Sequence, residues 1–260
     1  MLKLLIFMGL FLFVGCGTEE IVDDEPLEVT VHFAIEDGLG SDEWQDFITI
    51  TIDTEYTVTA IEMNSVTPLA NNLRRDIAQI ESFEDAFGYN FYEQASNLEE
   101  SLIGIASNEL AQAIQNAYVD FDTAEFANLT QRALAYGPVE RGQYLDGAYH
   151  SIQSADERED DLQYFVNFYI INGYIVAVHF NALDHEGRLK VDVNDTGVWR
   201  HQAQLLEQAL ISIQDPMEFS FDDAGYTTNI PGVDFEIESF VSLVIQALAV
   251  GPIVDREVEE

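Results

Sequence analysis

Apolar residues alternate with other residues in two long stretches of the chain, 47–66 and 165–183. This period of two is typical of β-strands that bury one face. Each stretch is interrupted once by a short turn, at 53–55 in the first and at Asn172-Gly173 in the second. Asn-Gly is a strong signal for a two-residue hairpin. We therefore predict two antiparallel β-hairpins.

Helical periodicity follows each hairpin. Residues 91–103 and 199–211 carry apolar side chains at spacings of three and four, and so do two later segments, 118–138 and 232–252. The later segments are versions of one sequence, YVDFDTAEFANLTQRALAYGP and GVDFEIESFVSLVIQALAVGP, and a Gly-Pro pair is expected to end each helix. One helical face is predicted to carry Phe126, Leu129, Ala133 and Leu134 in the first copy, and Phe240, Leu243, Ala247 and Leu248 in the second.

The same order of elements therefore occurs twice. Each unit has a hairpin, a loop, a helix, a variable connection and a closing helix. The sequence predicts an α+β fold made of two tandem copies of one unit, with boundaries at 28–140 and 141–256.

The N-terminus has the form of an export signal. Residues 1–15 contain one base, Lys3, followed by an apolar run that is too short to span a bilayer as a mature helix. Gly15-Cys16 is typical of a bacterial lipoprotein signal, in which the cysteine is lipidated and becomes the mature N-terminus. We predict a signal peptide at 1–15, lipidation of Cys16, an acidic tether at 16–27 and anchoring to the outer face of the cytoplasmic membrane. An uncleaved anchor helix is the alternative.

Charge and cysteine content exclude several functions. With 10 Lys and Arg against 48 Asp and Glu, the formal net charge is −38, which repels nucleic acid and anionic headgroups. A lipid would therefore have to hold the protein to the membrane. Cys16 is the only cysteine, so the exported part has no disulfide framework and no thiol nucleophile.

The second copy resembles the FMN-binding domain family. The resemblance rests on Asp146, Gly147 and Tyr149, on the Asn-Gly hairpin, and on the run that contains Asn181, Gly187 and Lys190. It covers nearly all of 141–256 and, through the repeat, more weakly 28–140. Two such domains behind a lipoprotein signal are similar to flavin lipoproteins, which implies a role in extracellular electron transfer.

In that family a threonine before the last helix carries the flavin phosphate, in a short S/T-G-A-T motif. The resemblance places this threonine position at Asp120 and Asp234, with Gly232 as the surviving glycine of the motif. A carboxylate cannot form the phosphoester, so we predict that no covalent flavin is present. Because a helix N-terminus attracts negative charge, we expect Asp120 and Asp234 to act as N-caps of the closing helices.

Two hypotheses follow. The first is a surface lipoprotein of flavin-based electron transfer that holds FMN, if at all, noncovalently between the hairpin and the last helix. The second is an envelope module without a redox cofactor that binds a ligand or another envelope protein. No enzyme motif and no metal-ligand spacing is present in the sequence. The predicted cofactor-binding residues are Asp120, Asp234, Gly232, Asp146, Gly147, Tyr149, Asn181 and Lys190.

Overall fold

The computed structural model describes residues 28–37, 44–67, 69–77, 88–154, 161–193 and 197–253. The predicted signal peptide, Cys16 and the tether lie outside these ranges. Among the described residues, no helix has the length and apolar character needed to cross a membrane.

The first half is a three-stranded antiparallel sheet, in the order β1-β2-β3, followed by helices. Its elements are β1 (Val29–Ile35), β2 (Gln45–Asp53), β3 (Val58–Val66), α1 (Arg74–Ile77), α2 (Phe91–Leu102), α3 (Ser107–Gln115) and α4 (Thr123–Tyr136). The predicted hairpin is β2-β3. The strand β1 and the helix α3 are additions that periodicity did not reveal.

The second half repeats this arrangement with the strand order β4-β5-β6. Its elements are β4 (Gly147–Ile152), β5 (Gln163–Ile171), β6 (Tyr174–Leu183), α5 (Lys190–Val193), α6 (Val198–Ile213), a 3-10 turn (Pro216–Glu218) and α7 (Glu238–Val250). Asn172 and Gly173 form the β5-β6 turn with positive φ angles of 51° and 77°, which is the geometry that an Asn-Gly hairpin requires. The predicted α+β class is confirmed.

Each half has its own apolar core between sheet and helices. In the first, α4 packs on β1 and β2, and its predicted face is buried at Phe126, Leu129 and Ala133. In the second, α7 packs on β4 and β5 through Phe240, Leu243 and Ala247. Gly137 and Gly251 end these two helices with φ angles of 87° and 92°, as the Gly-Pro pairs predicted.

A third apolar cluster joins the two halves. Phe47 and Val66 of the first sheet lie in one buried cluster with Ile171, Val176 and Ala177 of the second. The outer faces of the two hairpins therefore pack together and are shielded from water. Because burial of apolar surface is favourable, this cluster stabilises one arrangement of the two halves.

Candidate functional site

A cleft of about 480 Å³ opens in the second half beside the β5-β6 hairpin and the chain that leads into α7. Its lining residues are Tyr164, Phe180, Lys190, Trp199, Tyr226, Asp234, Phe235, Glu236 and Ser239. Five of these nine are aromatic, and the others are polar or charged. More of its lining surface is polar than apolar, and its volume is within the range that is usual for sites of small molecules.

Phe180 on β6 forms the centre of the aromatic wall. Its ring is stacked with Tyr164 at 5.6 Å between centroids and with Phe235 at 6.5 Å. The Trp199 ring lies 5.9 Å away and is tilted by 42°. Phe180 is fully buried, and aromatic pairs at such distances attract each other, so these contacts stabilise the wall.

Lys190, at the start of α5, brings a positive charge to this wall. Its Nζ donates a hydrogen bond to the Tyr164 hydroxyl oxygen at 3.0 Å and lies 4.4 Å from the centre of the Trp199 ring. Such cation-π contacts favour a fixed position for the ammonium group. Among the described residues that line the cleft, Lys190 is the only base, and it faces the acids Asp234 and Glu236.

The chain around Asp234 is tied to α6. The backbone N–H of Asp234 donates to Oε1 of the buried Gln202 at 3.0 Å. Gly232 has a φ of 89°, and a Cβ built there would lie 3.1 Å from Cδ1 of Leu205. Both the backbone conformation and the close packing therefore favour glycine at this position.

The expectation that Asp120 and Asp234 cap the closing helices is wrong. The N-cap of α4 is Asp122, whose Oδ1 accepts from the backbone N–H of Ala124 at 2.9 Å. The N-cap of α7 is Ile237, without a side-chain cap. Both helices begin later than the repeat suggested, so the two aspartates lie before the first turn and outside the reach of its amides.

A glutamine of an earlier helix, α2 in the first half and α6 in the second, instead binds the chain at each aspartate. The backbone N–H of Asp120 donates to Oε1 of Gln94 at 2.7 Å, as Asp234 does to Gln202. Gln94 also donates to the Asp120 carboxylate at 2.7 Å. Gln94 and Gln202 occupy the same place in the two helical repeats, so the repeated aspartate marks a repeated attachment of loop to helix.

Four other predicted residues lie outside the cleft. Asp146 accepts from the Gly173 N–H at 2.7 Å and so fixes the hairpin turn. Tyr149 is buried and stacks on Phe168, a core residue, at 4.9 Å. Gly147 lies against Pro252, and Asn181 is buried with its Oδ1 bound to the Ala182 N–H. The structure therefore brings together only Lys190 and Asp234, with Gly232 in the adjoining turn.

The equivalent place in the first half is closed by packing. Arg74 stands where Lys190 does, directly after the isolated bridge that follows the last strand. Its guanidinium lies 4.5 Å from the centre of the Phe91 ring and is 2.6 Å from the Tyr89 hydroxyl. Phe121 is buried against Phe91, with ring centres 5.0 Å apart. Within the described residues, the open aromatic cleft is therefore found in the second half.

Sequence reasoning missed Phe180, Trp199 and Phe235 as site residues. A signal was present, because the repeat aligns Trp199 with Phe91 and Phe235 with Phe121. Aromatic residues recur at both places, and only the packing distinguishes a filled core from an open wall.

No group of three or more potential metal ligands is found in the part of the chain that the structure describes. No protein-family model and no curated protein matches this sequence. A solution NMR structure of a protein from Clostridium thermocellum, a structural genomics target, is similar, with 27% identity. The match covers 40% of this chain and 90% of that one, with a TM-score of 0.35.

Proposed function

We propose that the chain is a cell-surface lipoprotein of flavin-based electron transfer whose second half binds a flavin noncovalently. The observation that carries this proposal is the aromatic cleft around Lys190, because Tyr164 and Trp199 line it and are only partly buried. A planar ligand in the cleft would stack on these rings. The cleft lies between the hairpin and the approach to the last helix, which is the position that the resemblance to FMN-binding domains implies.

Binding in this proposal is noncovalent. The side chains at the two attachment positions, Asp120 and Asp234, are carboxylates and have no hydroxyl group for a phosphoester. Affinity would therefore depend on stacking against Trp199 and Tyr164, which contributes about 1–3 kcal/mol per ring when a base stacks on an aromatic side chain. Lys190 would supply the attraction for an anionic or carbonyl oxygen.

The first test is the visible spectrum of the protein purified from cells that contain a flavin transferase. We expect any flavin colour to leave the protein on acid denaturation. Colour that stays with the precipitated protein would show a covalent bond and would refute noncovalent binding.

The second test is titration of the colourless protein with FMN and riboflavin. The chain has two tryptophans, so Trp44→Phe leaves Trp199 as the only indole reporter. We expect saturable quenching of Trp199 fluorescence and a rise in Tm with ligand concentration, because a ligand that binds only the folded state stabilises it.

Matched variants locate the site. Trp199→Leu should weaken flavin binding about tenfold, as loss of one stacking ring predicts. Tyr118→Leu removes a fully exposed ring of the first half and should leave the affinity unchanged. Lys190→Met should weaken FMN more than riboflavin, because only FMN carries a phosphate.

The alternative is an envelope module that binds a ligand or protein partner without a redox cofactor. The acids Asp234 and Glu236 favour it, because they line the same cleft and oppose the approach of a phosphate. A protein without flavin colour, whose Tm and Trp199 fluorescence do not respond to FMN or riboflavin, would support this alternative.

A further inference from the structure

A larger cavity, of about 610 Å³, lies in the first half. Ile52 of β2, Leu134 of α4 and Pro138 provide its apolar wall, and Ser107 lines it from the start of α3. Most of its lining surface is apolar. Its volume is within the range of about 300–1,000 Å³ that is usual for small-molecule sites.

The equivalent place in the second half is filled, and one substitution explains much of the difference. His32 lies opposite Ile50 in the β1-β2 pair, and Tyr149 lies opposite Phe168 in the β4-β5 pair. Ile50 and Phe168 are equivalent positions. Each lies one residue before the residue after which the hairpin changes register, at Thr51 in β2-β3 and at Tyr169 in β5-β6. The buried Tyr149 ring thus occupies space that the smaller His32 leaves open.

The neighbouring positions differ in the same sense. Gly147 of β4 approaches Pro252 so closely that a Cβ would lie 3.0 Å from the proline Cβ. In the first half the equivalent residues are Thr30 and Pro138, and both line the cavity. One position further along, the backbones pair alike in both halves, since the Val139 N–H donates to the Val31 carbonyl at 2.8 Å and the Ile253 N–H to the Ala148 carbonyl at 2.7 Å. The halves therefore differ beside this contact, where Thr30 and Pro138 line a cavity and Gly147 and Pro252 are in close contact.

The charges at this cavity are acidic. Glu28 and Asp53 line it, and none of the described residues in its lining is a lysine or an arginine. Tyr56 also lines it; this residue is 74% exposed and has a φ of 62°. A positive φ is uncommon for a bulky residue such as tyrosine. The exposed face of the Tyr56 ring can attract a cation.

We propose that this cavity binds a small amphipathic cation, an amine with a hydrocarbon body. The hydrocarbon would lie against Ile52, Leu134 and Pro138, where its burial is favourable. The ammonium group would lie near Glu28, Asp53 and the Tyr56 ring. An anion of the same length is disfavoured, both by these acids and by the formal net charge of −38.

The test is a chain-matched NMR titration with n-hexylamine, n-hexanol and n-hexanoate at constant ionic strength. We expect hexylamine to shift the methyl resonances of Ile52 and Leu134 saturably. Hexanol and hexanoate should bind about two- to fivefold more weakly than hexylamine, because a charge interaction near the protein surface changes affinity by about this factor. Equal binding of the three ligands, or no shift at these methyl groups, would overturn the proposal.

Two variants test the geometry and the charge separately. His32→Tyr installs the residue that fills the second half, where the Tyr149 hydroxyl donates to the Leu145 carbonyl, and it should abolish hexylamine binding. Glu28→Lys, at an exposed position, should reverse the preference between hexylamine and hexanoate.

Glu218→Lys makes the same charge change at an exposed position that does not line the cavity, and the preference should stay as in the parent protein. If His32→Tyr fails to fold, the Glu28→Lys and Glu218→Lys pair still decides the question. An unchanged preference in Glu28→Lys would refute the proposed cation site.

Discussion

Arg200 binds both carboxylate oxygens of Glu207, with Nη1 2.6 Å from Oε1 and Nη2 3.0 Å from Oε2. The same carboxylate accepts the backbone N–H of Phe180 at 2.7 Å, so it fixes α6 to the strand that supports the aromatic cleft. The first half has the same arrangement, in which the Glu99 carboxylate accepts a hydrogen bond from the Met63 N–H and forms an ion pair with Arg75. The arginine comes from α6 in one half and from α1 in the other.

Arg200→Leu should destabilise the protein strongly. It leaves the carboxylate of Glu207, whose side chain is 7% exposed, without its countercharge, and breaking a buried pair costs about 3–5 kcal/mol. Equilibrium urea unfolding at pH 7 measures the loss. The double variant Arg200→Leu/Glu207→Leu should recover part of it, because no buried charge remains; a double variant that loses the sum of the two single losses would contradict this account.

The Arg200→Leu penalty should also shrink as the pH falls. Burial raises the pKa of Glu207 above its usual value even with Arg200 present, and removal of the guanidinium raises this pKa further. When the pKa of a carboxyl group is higher in the folded state than in the unfolded state, the folded state binds the proton at a higher pH. The free energy of unfolding therefore rises as the pH falls from the folded-state pKa to the unfolded-state pKa. Unfolding at pH 7 and pH 5 should show a smaller difference between variant and parent at pH 5.

The fold was predictable because its signals are local. Alternation and the Asn172-Gly173 turn identified the hairpins, and the glycines at 137 and 251 identified the helix ends. The strands β1 and β4 were missed because a short edge strand has little periodicity of its own and depends on its neighbour for hydrogen bonds. The exact starts of α4 and α7 were wrong because Gln94 and Gln202, distant in sequence, fix the preceding loop.

The caps of the closing helices provide a third prediction. Asp122→Ala removes the oxygen that accepts from Ala124 and should lower the free energy of unfolding by about 1 kcal/mol. Asp234→Ala should change it by less than about 0.5 kcal/mol, because its carboxylate is exposed and caps no helix. Chemical denaturation of both variants tests the assignment, and a larger loss in Asp234→Ala would restore the sequence-based expectation.

The site was less predictable than the fold. Lys190 and Asp234 were named through the resemblance, but whether aromatic residues form a wall or fill a core depends on side-chain volumes at contacts between distant segments. Phe121 is buried and Phe235 is half-buried, although both follow a Val-Asp pair in the repeat. The difference lies in the packing partners, which no local pattern contains.

A pair of glycines provides a fourth prediction. Gly173 and Gly187 have the same φ of 77°, but a Cβ at Gly173 would lie 2.5 Å from backbone atoms of Gly142, and one at Gly187 would meet nothing within 4 Å. Gly187→Ala should therefore cost about 1–2 kcal/mol for the left-handed backbone alone. Gly173→Ala should cost about 1–3 kcal/mol more for the steric overlap. Equal losses in thermal or urea unfolding would show that residues 142 and 173 are not in close contact.

His179 provides a prediction for acidic pH. Its side chain is 7% exposed and, among the described residues, its Nδ1 has no hydrogen-bond partner. Burial, together with the positive charge of Arg200, lowers the pKa of His179 to about 4. The imidazole is therefore neutral in the folded protein over a range in which an unfolded histidine, with a pKa of about 6.5, is protonated.

Because the unfolded state binds the extra proton, the stability contributed by neutral His179 is complete above about pH 6.5 and is lost as the pH falls to about 4. The lost stability is about 3 kcal/mol. His179→Phe keeps a ring beside Phe165, which lies 6.0 Å from His179, and removes the titration. Between pH 7 and pH 4 the parent should therefore lose about 3 kcal/mol more unfolding free energy than the His179→Phe variant. Subtraction of the variant's stability curve from that of the parent removes the effect of the carboxyl groups, which titrate in both proteins. A difference that is constant with pH would show that His179 titrates normally in the folded protein.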